Sequence, residues 1–223
     1  GAGSSNQELN DRMKLGLKRV FAHADILVDH DLVGAAYAAY DGVPNITCIM
    51  GTGSNSCFFD GEQVSEEIPS LAYVIGDEAS GSYFGKQLLR AYFYKKLPTE
   101  LHDSFTEKYN LSKEELIHKV YNEPHSNVYL ASFMKFLGDH SDHPLFQKWV
   151  EDGIRNFIQI HVKCFKQWEN VPVNFIGSVG YYFEDCLRKA AQKEEITVGK
   201  IIKKPIYSLV NYHINTILQN NHA

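Results

Sequence analysis

Two spacings of apolar residues alternate along this chain. Apolar positions recur every three or four residues in long stretches, which is typical of amphipathic helices, and short continuous apolar runs between them predict buried strands. The predicted helices cover 5–21, 32–40, 79–97, most of 98–168, 181–193 and 205–219. The predicted strands cover 26–28, 45–50, 56–60, 71–75, 171–176 and 196–202. Strands interleaved with helices indicate an α/β fold with a mixed sheet.

Composition places the chain among ordinary globular proteins. Its 223 residues are 44% hydrophobic and 22% charged, which argues against disorder and allows a sizeable core. The net charge is −5 and lysine and arginine form no run, so we expect no nucleic-acid partner and no anionic membrane. No apolar run approaches the roughly 20 residues that span a bilayer. The polar start does not resemble a signal peptide, which favours the cytoplasm.

The cysteines and histidines predict no metal site. The four cysteines are widely spaced, and three lie within apolar segments, so we expect buried thiols at Cys48, Cys57, Cys164 and Cys186. The densest histidine group, at 140–143, precedes a proline and is interpreted as a polar loop between helices rather than as a set of metal ligands.

The strongest chemical signal is the stretch Met-Gly-Thr-Gly-Ser-Asn-Ser-Cys at 50–57. It predicts a strand, a turn of small residues and a second strand. Glycines let a backbone approach a ligand closely, and successive amide groups in such a turn can bind an anion, with the hydroxyls of Thr52, Ser54 and Ser56 as further donors. The alternative is a plain hairpin in which glycine and asparagine satisfy positive φ angles.

Two further motifs lie where a predicted strand gives way to a helix. Asp31 is expected to be the N-cap of helix 32–40, and the same fixed, ionised carboxylate would also suit a general base. Gly177-Ser178 forms a second small-residue turn, which either holds part of a nucleotide or is simply a tight connection.

A second acidic site is predicted in the segment Gly76-Asp77-Glu78. The apolar run before it would carry Asp77 to a strand end, where the ligands of open α/β sheets gather, although helix capping is the alternative. Two glycines five residues apart follow the spacing of half a P-loop, but Ser82-Tyr83 replaces the required Lys-Ser/Thr. We therefore exclude a P-loop.

Taken in order, these motifs resemble those of the N-acetylglucosamine kinases and the related BadF/BadG-type ATPases, which belong to the actin-like ATPase superfamily. The resemblance covers nearly the whole chain and is carried by the motifs Asp-His-Asp-Leu at 29–32, Gly-Thr-Gly-Ser-Asn-Ser at 51–56, Ile-Gly-Asp-Glu at 75–78 and Gly-Ser-Val at 177–179. It implies two ribonuclease H-like α/β lobes, with a mixed sheet and flanking helices, and ATP in the cleft between the lobes.

The resemblance also implies how the nucleotide is bound. The β- and γ-phosphates would lie against a turn formed by Gly51, Thr52, Gly53 and Ser54. Gly177 and Ser178 would lie against the adenosine. Mg²⁺ would bridge the phosphates and arrive with ATP, so no residue of this chain is predicted to be a metal ligand.

For the sugar, the resemblance implies that Asp31 is the base facing the hydroxyl. Asn55 and Asp77 would bind the sugar, with help from Glu78. Phosphoryl transfer depends mainly on positioning and charge stabilisation, so a base in this position is one contribution among several.

The chain departs from the family pattern in two respects. The family opens with a glycine-rich Asp-Gly-Gly-Thr-type first phosphate loop, and nothing in this sequence matches it, so the first lobe is expected to be incomplete here. Residues 1–42 and 204–223 would be its remnant, and 43–203 the second lobe. Ala72 and Ala79 also occupy places where glycine is expected. If either position requires a positive φ, alanine brings strain.

Three functions follow as hypotheses. The first is an ATP-dependent kinase of an amino sugar, most simply N-acetylglucosamine, acting on sugar and ATP and compatible with a homodimer. The second is a BadF-type ATPase that activates a reductase, although the cysteines lack the compact spacing of an iron–sulfur site. The third is a sugar- or nucleotide-binding regulator without catalysis.

Overall fold

The computed structural model describes residues 7–218 and contains one five-stranded sheet. Its strands are β1 (Asn45–Met50), β2 (Ser54–Phe59), β3 (Val64–Ser65), β4 (Val173–Ile176) and β5 (Val198–Ile202), in the spatial order β3-β2-β1-β4-β5. Strand β1 pairs antiparallel with β2 and parallel with β4, and β4 pairs parallel with β5. The predicted mixed α/β sheet is confirmed.

Helices precede, follow and interrupt the sheet. Before β1 lie α1 (Gln7–Lys18) and α2 (Asp31–Ala39). Between β3 and β4 lie α3 (Ala72–Ile75), α4 (Gly81–Phe93), α5 (Thr99–Tyr109), α6 (Lys113–Tyr121), α7 (Ser126–Ser132), α8 (Met134–Asp139), α9 (Pro144–Phe157) and a π-helical turn (Ile158–Val162). The last are α10 (Ser178–Tyr182), α11 (Glu184–Lys193), α12 (Ile206–Tyr212) and a second π-helical segment (His213–Leu218).

Side-chain alternation along β1 separates two cores. Ile46, Cys48 and Met50 are fully buried on the face covered by the large helical layer from α4 to α11. The opposite face packs against α2, where small residues such as Ala35 and Ala39 let the helix approach the sheet, and α12 packs beside α2. The sheet is therefore covered on both faces at β1, which explains why five of the six residues of this strand are buried.

Two predicted strands are wrong. Residues 26–28 have no regular secondary structure, and Leu27 is 82% exposed. Residues 72–75 form the short helix α3, in which Val74 and Ile75 are largely exposed. Both segments are short apolar runs, and periodicity alone cannot tell such a run in a strand from one in a helix or loop.

Several helix boundaries also differ from the prediction. The predicted helix 181–193 is two helices that meet at Phe183, and the first helix of the chain ends at Lys18 rather than near residue 21. The C-terminal helix continues as a π-helical segment, and its predicted end at residue 219 lies outside the described residues.

The cysteines behave as expected for structural thiols. Cys48, Cys57 and Cys186 are buried and Cys164 is partly exposed, and all four are free. Burial raises the pKa of Cys57 to about 12, so its thiolate is scarce at neutral pH. Within residues 7–218, no helix is both long enough and apolar enough to cross a membrane.

Candidate functional site

A cleft of about 590 Å³ opens beside the carboxyl end of β1. It is lined by His30, Asp31, Ile49, Thr52, Gly53, Ser54, Asn55, Glu66, Ser70, Asp77 and Asn127. Six of the predicted site residues, Asp31, Thr52, Gly53, Ser54, Asn55 and Asp77, thus come together from three distant parts of the chain. The other four, Gly51, Glu78, Gly177 and Ser178, lie outside this lining.

The Gly-Thr-Gly turn is fixed by the start of α4. The amides of Gly81 and Ser82 donate to the carbonyls of Gly51 (2.8 Å) and Thr52 (3.1 Å). Within the turn, the Gly51 amide donates to the Gly53 carbonyl at 3.0 Å. Because the carbonyls are held by α4, the turn is a fixed edge of the cleft rather than a free hairpin tip.

Glycine at position 53 is explained by a close approach and not by its φ angle. The positive-φ glycines of the described chain are Gly42, Gly61 and Gly177, so the idea that this turn needs glycine for positive φ is wrong. A Cβ at Gly53 would lie 2.7 Å from Asp77 Oδ2. The turn and the Asp77 carboxylate are therefore packed against each other.

Asp77 is buried at the floor of the cleft. It follows helix α3 rather than a strand, and it does not cap α4, because Ser80 is the N-cap and accepts from the Tyr83 amide. Burial raises the pKa of Asp77, while the Ser54 amide and the Lys86 ammonium act in the opposite direction. The cleft thus holds a carboxylate whose ionisation is opposed by its own surroundings.

Replacing Asp77 by asparagine should stabilise the fold at pH 7. A raised folded-state pKa stabilises the protein below the unfolded pKa, and this contribution is lost as pH rises through the folded value, so at pH 7 the ionised Asp77 opposes folding. Urea unfolding should show a higher unfolding free energy for Asp77→Asn at pH 7 and a smaller gain at acidic pH. The exposed Asp103→Asn is the control. A less stable Asp77→Asn at pH 7 would show that the contacts of the Asp77 carboxylate with Ser54 and Lys86 stabilise its ionised form more than burial destabilises it.

The loop around Asp77 contains left-handed residues that are not glycine. Ala72, Asp77 and Ala79 have φ angles of 56°, 58° and 57°. The expectation that positions 72 and 79 suit glycine is confirmed, since both adopt the positive φ that glycine tolerates best. Such strain persists only where surrounding contacts hold it, and one of them is the Lys86 ammonium, which donates to the Tyr73 carbonyl of α3.

Asp31 is the first residue of α2 and not its N-cap, which is His30. The carboxylate is exposed at the mouth of the cleft and still lies at the positive end of the helix dipole. The prediction was wrong by one position because caps are set by backbone angles, and His30 takes the extended conformation of a cap without a side-chain bond to the helix.

The sequence did not predict the cluster of polar side chains that Asn55, Glu66 and His30 form in the cleft. Asn55 Nδ2 donates to Glu66 Oε2 at 3.1 Å, and its Oδ1 accepts from the Ser56 amide at 2.9 Å. Glu66 Oε1 lies 3.8 Å from His30 Nε2. Glu66, Ser70 and Asn127 belong to no motif, and His30 was counted only as part of the Asp-His-Asp-Leu motif, so only the folded chain reveals that the four share the cleft.

Gly177 directly follows β4 and packs against the start of the Gly-Thr-Gly turn. Its φ and ψ are 124° and 174°, and a Cβ there would lie 2.3 Å from the Met50 carbonyl oxygen and 3.1 Å from the Gly51 nitrogen. Its amide donates to the Ile202 carbonyl at 2.9 Å. Ser178 follows as the exposed first residue of α10. The two small-residue turns are thus neighbours at the carboxyl ends of parallel strands.

Comparison with known proteins identifies the family. A scan against protein-family models matched none, and a search of curated proteins also gave no match. A solved structure from Porphyromonas gingivalis, provisionally named an N-acetylglucosamine kinase, aligns with a TM-score of 0.91 and 32% identity over 97% of this chain and 76% of that one. The chain belongs to this sugar-kinase family. The predicted actin-like ATPase fold is thereby confirmed, whereas the BadF/BadG relationship stays a prediction.

A second solved structure shares the sugar-kinase fold at lower identity. The protein from Chromobacterium violaceum, with the same provisional name, aligns with a TM-score of 0.65 and 14% identity over 92% of this chain and 72% of that one. At this identity the likeness concerns the fold alone.

Proposed function

We propose that this sugar kinase transfers the γ-phosphoryl group of ATP to a hydroxyl of an amino sugar, with N-acetylglucosamine as the first candidate. The observation that carries the proposal is the shared cleft, in which an exposed carboxylate, Asp31, and a buried one, Asp77, flank the Gly-Thr-Gly turn. The provisional name of the Porphyromonas gingivalis relative supports the choice of sugar.

In this proposal Asp31 accepts the proton of the sugar hydroxyl. The hydroxyl oxygen forms a bond to the γ-phosphorus, the bond from that phosphorus to the β–γ bridging oxygen breaks, and ADP leaves. A positioned base contributes about 10²–10⁴-fold to such a step. Asn55 and Asp77 orient the sugar, and their polar side chains at the cleft suit several hydroxyl groups. Glu78, which lies outside the cleft lining, would help by supporting the loop behind Asp77.

The nucleotide is proposed to lie over the two small-residue turns. Residues 51–54 would face the phosphates, and Gly177 and Ser178 the adenosine, since both turns end neighbouring parallel strands. Mg²⁺ bound with ATP would neutralise phosphate charge. We propose that this Mg²⁺ is carried by the nucleotide.

The proposal is tested by ADP release from the purified full-length gene product with ATP, Mg²⁺ and a panel of hexoses and hexosamines. We expect release that depends on the sugar and is fastest with N-acetylglucosamine. Equal release with and without sugar would favour the ATPase hypothesis instead. Sugar or nucleotide binding without turnover would favour the regulator hypothesis. In that case the strained residues Ala72 and Ala79 would be features of a protein that binds without catalysis.

A further inference from the structure

His161 is a buried histidine outside the cleft that the proposed reaction does not use. It lies in the π-helical turn Ile158–Val162, is 4% exposed, and stacks on Phe157 with ring centroids 4.7 Å apart. Its Nε2 lies 2.9 Å from Glu78 Oε2, and its Nδ1 has no hydrogen-bond partner within the described residues. Single π-helical turns often occur at functional sites.

Hydrogen bonds link His161 and Glu78 to strand β2, and together they form a closed ring of contacts. Ser54 Oγ donates to the Glu78 carbonyl at 2.6 Å, and Ser56 Oγ donates to the His161 carbonyl at 2.5 Å. Ser54 and Ser56 are two positions apart and so lie on one face of β2. The bond between Glu78 and His161 closes the ring.

The ring of hydrogen bonds holds Glu78, which lies in the strained loop beside the cleft. Glu78 stands between Asp77 and Ala79, both left-handed, and its carboxylate turns away from the cleft toward His161. Because strained backbone persists only when its surroundings hold it, a contact on Glu78 controls where the adjacent Asp77 carboxylate points.

We propose that His161 is a positioning residue for Asp77, acting through an Nε2–H that donates to the Glu78 carboxylate. A carboxylate oxygen accepts, so the imidazole Nε2–H is the donor of this bond. The positioning stands on geometry alone, whereas its consequence for sugar affinity rests on the proposed function.

The proposal is tested first by hydrogen exchange, which does not require activity. The Ser80 amide donates to the Asp77 carbonyl at 3.1 Å and so reports on this loop. In His161→Phe, which keeps a ring against Phe157 but removes the donor, exchange at Ser80 should accelerate at least about tenfold relative to amides of β4. Unchanged relative exchange would overturn the proposal, and if this variant does not fold, Glu78→Ala gives the same test from the other partner.

Kinetics then separate positioning from a general packing role. His161→Phe should raise the sugar KM at least about tenfold with an ATP KM within about twofold, and His161→Gln, which retains a donor, should recover most of the loss. Val162→Ala, a buried change in the same turn, should lower stability without shifting the ratio of the two KM values. An equal shift in Val162→Ala would assign the effect to packing. If the wild type shows no sugar-dependent turnover while Ser80 exchange responds as expected, the proposed function fails and the positioning stands.

The tautomer gives an independent readout. Long-range ¹H–¹⁵N spectra of the wild type should show a proton on Nε2 of His161. A proton on Nδ1 alone would overturn the proposal, because Nε2 could then not donate to Glu78.

Discussion

Asp31→Asn should lower kcat for sugar phosphorylation by about 10²–10⁴-fold while ATP affinity stays within about twofold. The substitution keeps the shape of the side chain at the cleft but removes the group proposed to accept the hydroxyl proton. Asp31 is exposed and stands at the start of α2, so the loss of its charge from the helix N-terminus should cost at most about 1 kcal/mol of stability. Steady-state ADP release and nucleotide titration measure the two effects separately.

A matched control lies at the other end of the same helix. Asp41 follows α2 and does not line the cleft, and its Oδ2 lies 3.4 Å from Lys200 Nζ. Asp41→Asn should therefore keep kcat within about twofold. Full turnover in Asp31→Asn would refute its role as the base. If Asp77→Asn alone abolished turnover, the base would have to be assigned to Asp77.

Gly177→Ala should be among the most destabilising single substitutions in the chain, with an expected loss of about 3–5 kcal/mol. Its backbone occupies a region that is essentially restricted to glycine, and the new Cβ would lie 2.3 Å from the carbonyl oxygen of Met50. Since Met50 precedes the Gly-Thr-Gly turn, the strain would also displace that turn. Urea unfolding measures the stability, and nucleotide titration of the folded fraction measures the second effect.

Two other glycines separate the causes of this loss. Gly42 has a φ of 96° but nothing within 4 Å of an added Cβ, so Gly42→Ala should cost only the backbone strain of about 1–3 kcal/mol. Gly138, in helix α8, has neither problem, and Gly138→Ala should be neutral or stabilising by up to about 1 kcal/mol. An effect of Gly177→Ala no larger than that of Gly42→Ala would mean that the approach to Met50 relaxes without cost.

The parts of the fold that could be predicted are those in which local and tertiary preferences agree. Strands β1 and β4 are mainly apolar, lie next to small-residue turns, and are buried almost throughout. The runs at 26–28 and 71–75 are also apolar but lie at the surface, so composition alone predicted strands where none forms. Whether a short apolar run becomes a strand depends on a neighbour that pairs with it.

The candidate site divides in the same way. Asp31, the Gly-Thr-Gly turn and Asp77 were predicted because each belongs to a motif with its own chemistry, and the structure brings them to one cleft. Glu66 was missed because it belongs to no motif, and Asn55 reaches it only across the folded chain. His30 lies in the Asp-His-Asp-Leu motif, but its contact with Glu66 is set by the fold. Glu78 was predicted at the sugar, but its carboxylate bonds to His161, 83 positions away.

The sequence by itself determined the alternation of strands and helices, the small-residue turns and the acidic residues, since these depend on side-chain type and spacing along the chain. Only the tertiary structure decided that Gly53 packs against Asp77, which way Glu78 faces, and that Ala72 and Ala79 are left-handed. These features follow from contacts between residues far apart in the chain, because close packing and buried hydrogen bonds can hold a conformation that local preference would not choose.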